Sequence, residues 1–407
     1  MSLANLRVHG TLRPEDRPGV DPSGDHDARR LREALSGDGW RALWPGGPRL
    51  GLGLPATRSP YEDARPLPVW GRDPSGRGRA DGSLVRTAGS PGRDAGSRFD
   101  TAVGPGGYAW WYIDAMSADR RFGLTVIAFV GSVFSPWYGW SGRGSPENHC
   151  AINVALYGPG CARWAMTERG RSAVHRDSTS LTIGPSALSW EGDELIIRLD
   201  EITAPVPPMP MLPSPVRGEV RLRPRAMNTR AFMLDEDGGH VWHPLAPRAD
   251  VSVNLTDPGL SWTGEGYLDH NRGNEPLEEA FELWDWSRAH LSTDSAVLYD
   301  LKRRDGSAVS LAMRFGLDAL PEPFEPPAIV RLPDTGWGMK RFTRSEPGGT
   351  AGVAGTWEDT PFYSRSALMT RLLGDDAHGV HESLSLGRLR SPIVRAMLPF
   401  RMPRALR

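Results

Sequence analysis

Between Gly239 and Trp286 the sequence gathers residue types that can move protons beside aromatic surface. His240, Trp242 and His243 come first, then Gly264-Glu265-Gly266-Tyr267-Leu268-Asp269-His270-Asn271, then Trp284-Asp285-Trp286. Alternate residues of a strand face the same side, so His240 and Trp242 share a face, as do Tyr267 and Asp269. If these strands are neighbours, one acid, one imidazole and two rings reach a common pocket. The plainer alternative is a tight turn holding Asp269 by backbone hydrogen bonds, with Trp and Tyr as core. A metal site would draw on His240, His243 and Asp269, but histidines three apart in a strand point to opposite faces. A glycosidase would need a carboxylate pair such as Glu265 and Asp269. Four residues along one strand is roughly 13 Å, too far for a retaining pair at about 5 Å.

Other clusters have both a functional and a structural reading. Tyr108, Trp110, Trp111, Tyr112 and Asp114, followed by Phe134, Trp137, Tyr138 and Trp140, suit either an aromatic pocket or a domain core. Glu147-Asn148-His149-Cys150 reads as a structured turn. Asp359-Thr360-Pro361-Phe362-Tyr363-Ser364 and His381-Glu382-Ser383 read as loop and interface hydrogen bonding. No Walker loop, no GxGxxG between strand and helix and no GxSxG elbow appears, so nucleotide-driven chemistry and a serine hydrolase are disfavoured.

The elements that must position these residues read as β-strands. The 407 residues include 47 Gly, 37 Pro and 15 Trp, which disfavours a helical bundle, while 39% hydrophobic residues rule out wholesale disorder. The length is about twice that of one domain. Residues 1–98 form a loop-rich extension with one helix expected at Asp27–Leu35 and a flexible linker at Gly71–Ser97. From Phe99, short runs of β-branched and aromatic residues alternate with turn chemistry, Glu191-Gly192-Asp193 being one tight-turn candidate. The Pro-rich stretch Pro205–Pro215 cannot lie inside a sheet. A second strand series starts near Arg248. The expectation is an all-β chain of two barrels in tandem, at 99–238 and 239–407, with the second ending in a C-terminal tail.

With 48 basic and 49 acidic residues, the chain has no electrostatic footprint for nucleic acid. Two cysteines, Cys150 and Cys161, support neither a disulfide framework nor a Cys-based zinc site, and they suit a reducing compartment. No apolar run reaches the length of a membrane span. A cytoplasmic protein, soluble or peripheral on a membrane surface, is expected.

Several long motifs then resemble the carotenoid 1,2-hydratases of photosynthetic bacteria, also called hydroxyneurosporene synthases. They are GGYAWWYIDA at 106–115, FVGSVFSP at 129–136, PENHCAINVALYG at 146–158, RWAMTERG at 163–170 and GEGYLDHNRGNEPLE at 264–278. WDWSRA at 284–289, DTPFYSRS at 359–366 and HESLSLGRLRSPIVRAMLPFRMPR at 381–404 extend the match. The resemblance implies two lipocalin-like β-barrels. It implies a hydro-lyase that adds water, without cofactor or metal, to the terminal double bond of an acyclic carotenoid such as neurosporene or lycopene, giving a 1-hydroxy tertiary alcohol. Its acid and helpers fall on Asp269, His240, Trp242 and Tyr267. Burial would keep the Asp269 proton available, His240 would orient the acid or deprotonate water, and the two rings would face the cation. A non-catalytic lipocalin-like carrier of a polyene or lipid is the alternative. A lipid-borne substrate implies work at the inner or photosynthetic membrane. The tail Arg388–Arg407 interleaves arginines with Ile393, Val394, Met397, Leu398, Phe400 and Met402, and its prolines predict an irregular anchor.

Overall fold

The computed structural model describes residues 59–67, 97–204, 212–349 and 351–405, with backbone pairing also at Gly51–Leu52 and Leu54–Pro55. The expected helix at Asp27–Leu35, most of the linker Gly71–Ser97 and residues 205–211 of the Pro-rich stretch lie outside the described residues.

The chain is mostly β, as its alternation predicts. The first strands are β1 (Tyr108–Ser117), β2 (Gly123–Val130), β3 (Cys150–Tyr157) and β4 (Arg163–Arg169). Then come β5 (Val174–Arg176), β6 (Ser180–Ile183), β7 (Ser186–Glu191), β8 (Glu194–Ile202) and β9 (Pro215–Pro224). Next are the short β10 (Phe232–Met233) and two long strands, β11 (His240–Asp257) and β12 (Leu260–Gly273). These build one 12-stranded sheet in the order β4-β3-β2-β1-β12-β11-β9-β8-β7-β6-β5, with β10 added on β11. Its two ends approach each other: β4 lies against β8, and Arg169 of β4 bonds Glu201 of β8 at 2.8 Å. The sheet is a nearly closed barrel. Trp111, Ile113, Val126, Ile152, Leu222, Val253 and Leu268 belong to the buried cluster that fills it.

The second sheet uses β13 (Phe281–His290), β14 (Ser295–Arg303), β15 (Ala308–Phe315) and β16 (Pro321–Pro323). β17 (Ile329–Leu332) and β18 (Arg341–Arg344) form a small sheet with Leu54–Pro55. β19 (Gly352–Asp359), β20 (Tyr363–Leu372) and β21 (Asp375–Ser385) return to the second sheet, whose order is β19-β20-β21-β13-β14-β15-β16. Gly51–Leu52 flanks β19, and Arg65–Pro66 pairs parallel with β15. The sheets do not part at residue 239. β11 and β12, the first strands beyond it, are central in the larger sheet, where β12 pairs with β1 over ten residues.

Local sequence explains local detail. Gly192 and Asp193 make the expected two-residue turn between Glu191 and Glu194, with Gly192 at φ +63°. β8 and β9 are antiparallel partners, so the Pro-rich stretch joins a hairpin. Pro244 and Pro247 withhold ladder donors inside β11, and its register to β12 slips between His243 and Ala246 and again before Ala249. Among the described residues, four short α-helices accompany the strands: α1 (Pro136–Trp140), α2 (Leu277–Ala280), α3 (Leu386–Leu389) and α4 (Pro392–Arg401). The tail is therefore helical over most of its length, although Pro399 lies inside α4. The proline sits in the last turn and leaves the earlier hydrogen bonds intact, which the expectation of an irregular anchor overlooked.

Candidate active site

Register brings the acid to its partners. Asp269 stands opposite Tyr112 of β1, Tyr267 opposite Asp114, and Trp242 of β11 opposite Asn271 of β12. Leu268 faces the barrel core, so the alternate residues Tyr267, Asp269 and Asn271 face the second sheet. Asp269 Oδ2 accepts hydrogen bonds from Trp242 Nε1 at 3.0 Å and from the Tyr267 hydroxyl at 2.8 Å, and Oδ1 accepts from Asn271 Nδ2 at 2.9 Å. Gly266 lets β1 come close enough for this alignment, since a Cβ there would stand 2.7 Å from the Asp114 carbonyl oxygen.

Burial pushes the Asp269 carboxyl well above the usual carboxylate range, against the opposing pull of the Tyr267 and Trp242 hydrogen bonds. Among the described residues it has no cationic partner. Its buried neighbours differ: Asp114 is paired with Arg288, Glu358 with Arg401 at 3.2 Å, and Glu382 with Arg365 at 2.6 Å. One carboxyl is thus left to hold a proton while those around it meet guanidinium groups.

Asp269 opens on a cavity of about 100 Å³ between the two sheets. The larger sheet supplies Trp110, Tyr112, Phe129 and Asn271, and the second supplies Trp284, Trp286, Tyr299, Tyr363 and Glu382. Leu398, Arg401 and Met402 of the tail close another side. Rings are packed edge to face around the acid: Tyr112 against Trp286 at 5.5 Å, and Trp242 against Tyr299 at 4.9 Å. An acid in an aromatic, largely apolar chamber is suited to protonating an electron-rich apolar group and surrounding the resulting cation.

The expected residues separate into two groups. Trp242, Tyr267 and Asp269 are in direct contact. Trp242 and Tyr267 have no exposed surface and do not line the cavity; both hydrogen-bond to the acid. His240 is not among the partners of Asp269. Its Nδ1 is 2.8 Å from the Tyr108 hydroxyl, its ring packs on Phe281 at 4.9 Å, and burial lowers it to about 4. Gly273 faces this pair, and a Cβ there would sit 2.4 Å from the Tyr108 ring. His243 turns elsewhere, with Nε2 3.0 Å from the Asn228 carbonyl oxygen.

The aromatic cluster of β1 splits by parity. Trp110 and Tyr112 line the cavity, while Trp111 is core. Glu147-Asn148-His149 is the expected turn, a 3-10 turn over Pro146–Asn148, with His149 Nδ1 2.9 Å from Glu168. The readings of 359–364 and 381–383 as loop and interface bonding were incomplete, because Thr360, Phe362, Tyr363 and Glu382 line the cavity. The spacing of Glu382 and Leu384, with Ser383 turned away to Asp285, was the available signal.

Comparison with known proteins agrees with this chemistry. The carotenoid hydratase CrtC family matches residues 126–407. The chain is 50% identical to an acyclic carotenoid 1,2-hydratase of Thiocapsa roseopersicina over 408 residues, covering 98% of this chain and 99% of the relative. It is 46% identical to that of Rubrivivax gelatinosus over 413 residues, covering 99% and 100%. A third, from Rhodobacter capsulatus, is 44% identical over 281 residues, covering 69% of this chain and 97% of the relative.

Proposed function

The chain belongs to the carotenoid hydratase family, and from that premise we propose that it adds water to the terminal double bond of an acyclic carotenoid. Neurosporene or lycopene would yield the 1-hydroxy tertiary alcohol. The observation that carries this reading is Asp269, a buried cavity carboxyl with three hydrogen-bond donors and no cation among the described residues. Oδ2 already accepts two hydrogen bonds, so the acidic proton belongs on Oδ1. Transfer to the less substituted alkene carbon leaves a tertiary cation among Tyr112, Trp286 and Tyr299, each ring contributing about 0.5–2 kcal/mol. Trp242 and Tyr267 fix the acid and stabilise the carboxylate it becomes. Uncharged His240 steadies Tyr108, which stacks on Trp110 at 4.9 Å, and so acts as a positioning residue. A carrier would have no use for a buried acid without a counter-ion, which costs stability.

The wider setting is proposed with it. In α4, Ile393, Met397 and Phe400 recur at helical spacing and are exposed, with Phe400 at 76%. Arg390 and Arg395 are close by, and Leu398 and Met402 of the same segment line the cavity. Peripheral docking on the cytoplasmic side of an anionic membrane would let a polyene pass from lipid to Asp269. The two lipocalin-like barrels are proposed in an interlocked form, in which the second half lends β11 and β12 to the first. The near closure of the larger sheet supports this.

Purified protein given lycopene in detergent and ¹⁸O-water should form an alcohol carrying one ¹⁸O. Asp269→Asn should lower turnover by about 100-fold or more. Wild-type turnover by the folded variant, or binding of lycopene without product by the unmodified protein, would end this reading.

A further inference from the structure

Hydration requires opposite proton transfers at one site, a donor for the alkene and an acceptor for the water. Taking Asp269 as the donor, as proposed above, we propose that Glu382 is the base that receives the proton of the attacking water. Both residues line the same cavity, but their partners differ in kind. Asp269 has only neutral donors, whereas Glu382 meets Arg365, whose Nε lies at 3.0 Å and Nη2 at 2.6 Å. The Tyr112 hydroxyl lies between Glu382 Oε1 at 2.7 Å and Asp114 Oδ2 at 2.8 Å, and its single proton serves both. All three bonds end on Oε1, so Oε2 has no hydrogen-bond partner among the described residues and can accept from water.

Glu358 is the competing carboxylate, and its oxygens are both engaged. Oε1 accepts from the Tyr157 hydroxyl and Oε2 from Arg401 at 3.2 Å. Glu382 also stands closer in effect to the acid: after burial and the hydrogen bonds, its charge is among the influences that keep Asp269 protonated. One carboxyl held by neutral donors and one held by a guanidinium, on the same cavity, is the arrangement expected of an acid and a base acting on one substrate.

The steps balance. The alkene π pair takes the Asp269 proton to form a C–H bond, leaving a tertiary cation and the Asp269 carboxylate. A lone pair of water forms the C–O bond, and the oxonium gives its proton to Oε2 of Glu382. Passage of that proton through cavity water to Asp269 restores the starting state.

The test compares wild type, Glu382→Gln and Asp269→Asn with lycopene in deuterated buffer, reading both alcohol formation and deuterium in the recovered lycopene. Glu382→Gln should lower hydration by about 100-fold or more, yet still place deuterium in the substrate, because protonation and its reversal persist without water capture. Hydration by Glu382→Gln within about threefold of wild type would overturn the proposal. So would loss of both signals in a variant that melts like wild type. Failure of the Asp269 reading looks different: Asp269→Asn would then hydrate normally, whatever Glu382→Gln does.

Should Glu382→Gln not fold, Tyr112→Phe gives an independent answer. Removing the hydroxyl takes away one of the contacts that hold Glu382 Oε1, so hydration should fall by about tenfold or more while deuterium still enters the substrate. Unchanged hydration would count against Glu382.

Discussion

Asp269 owes its chemistry to what its neighbours lack. Asp300 meets Arg344 at 2.7 Å, Glu201 meets Arg169 at 2.8 Å and Glu278 meets Arg143 at 2.6 Å, so these buried acids keep their charge compensated. Asp269 has hydrogen bonds alone, and burial raises its pKa in the fold above the usual value of about 4 for an unfolded chain. Its contribution to stability is therefore complete below about pH 4 and is lost as pH rises towards the folded pKa. Asp269→Asn cannot ionise, so it should melt higher than wild type at alkaline pH, with the gap closing towards pH 4. Calorimetry across that range checks it, and identical curves at every pH would mean the acid is not shifted. As the proposed proton donor, Asp269 should also make hydration fall on the alkaline side, where it has lost its proton. At the facing wall, Trp286→Phe should keep about 2- to 30-fold more activity than Trp286→Leu at matched stability, because only Phe retains a π face. Equal rates would reduce Trp286 to packing.

Strand parity lets one element serve two purposes. β13 turns Trp284 and Trp286 to the cavity and Asp285 away from it, where Asp285 accepts from Tyr61 at 2.6 Å and from Ser383. Burial pushes Asp285 up to about 7, so its contribution to stability is complete below about pH 4 and is lost as pH rises through about 7. α4 is divided in the same way, with Leu398 turned inward while Ile393, Met397 and Phe400 face out. Ile393→Ser combined with Phe400→Ser should weaken co-sedimentation with anionic vesicles by about tenfold or more, at about 1.5–3 kcal/mol for each side chain no longer buried in lipid. Activity on vesicle-borne lycopene should fall with it, and activity on detergent-dispersed lycopene should hold. Unchanged vesicle binding would remove α4 from the docking proposal. Deleting the tail would be a poorer probe, since Leu398 and Met402 line the cavity and Arg404 pairs with Glu168.

At the scale of the molecule, the site exists because two sheets are pressed face to face. Arg288 of β13 reaches Asp114 of β1, with Nε at 2.7 Å, and Tyr112 of β1 reaches Glu382 of β21 at 2.7 Å. Both links join the two sheets and are largely shielded from water. Arg288→Leu strands Asp114 as an unpaired buried charge and should cost about 3–5 kcal/mol in urea unfolding. Adding Asp114→Leu should recover most of that loss, because the leftover charge goes with it. A single variant as stable as wild type would mean the sheets are held by apolar packing alone.

Period-two alternation made the β architecture legible, and with it the shared face of Tyr267 and Asp269, because residues two apart on one strand must share a face, whereas Trp242 joins them only because β11 pairs with β12. The Gly192-Asp193 turn and the 146–149 turn were legible too, since their chemistry is local. Alternation says which residues share a face but not what that face meets. Tyr112 and Glu382 lie 270 positions apart and touch only through sheet packing. The same packing set β11 and β12 into the larger sheet, gave His240 to Tyr108 instead of Asp269, and left Trp242 and Tyr267 bonded to the acid but off the cavity wall. Residue types and spacing on one strand determined that an acid would stand among aromatic rings. That Asp269 lacks a cationic partner among the described residues, and which rings line the cavity, was decided where two sheets met, because burial and ion pairing are properties of the assembled interface.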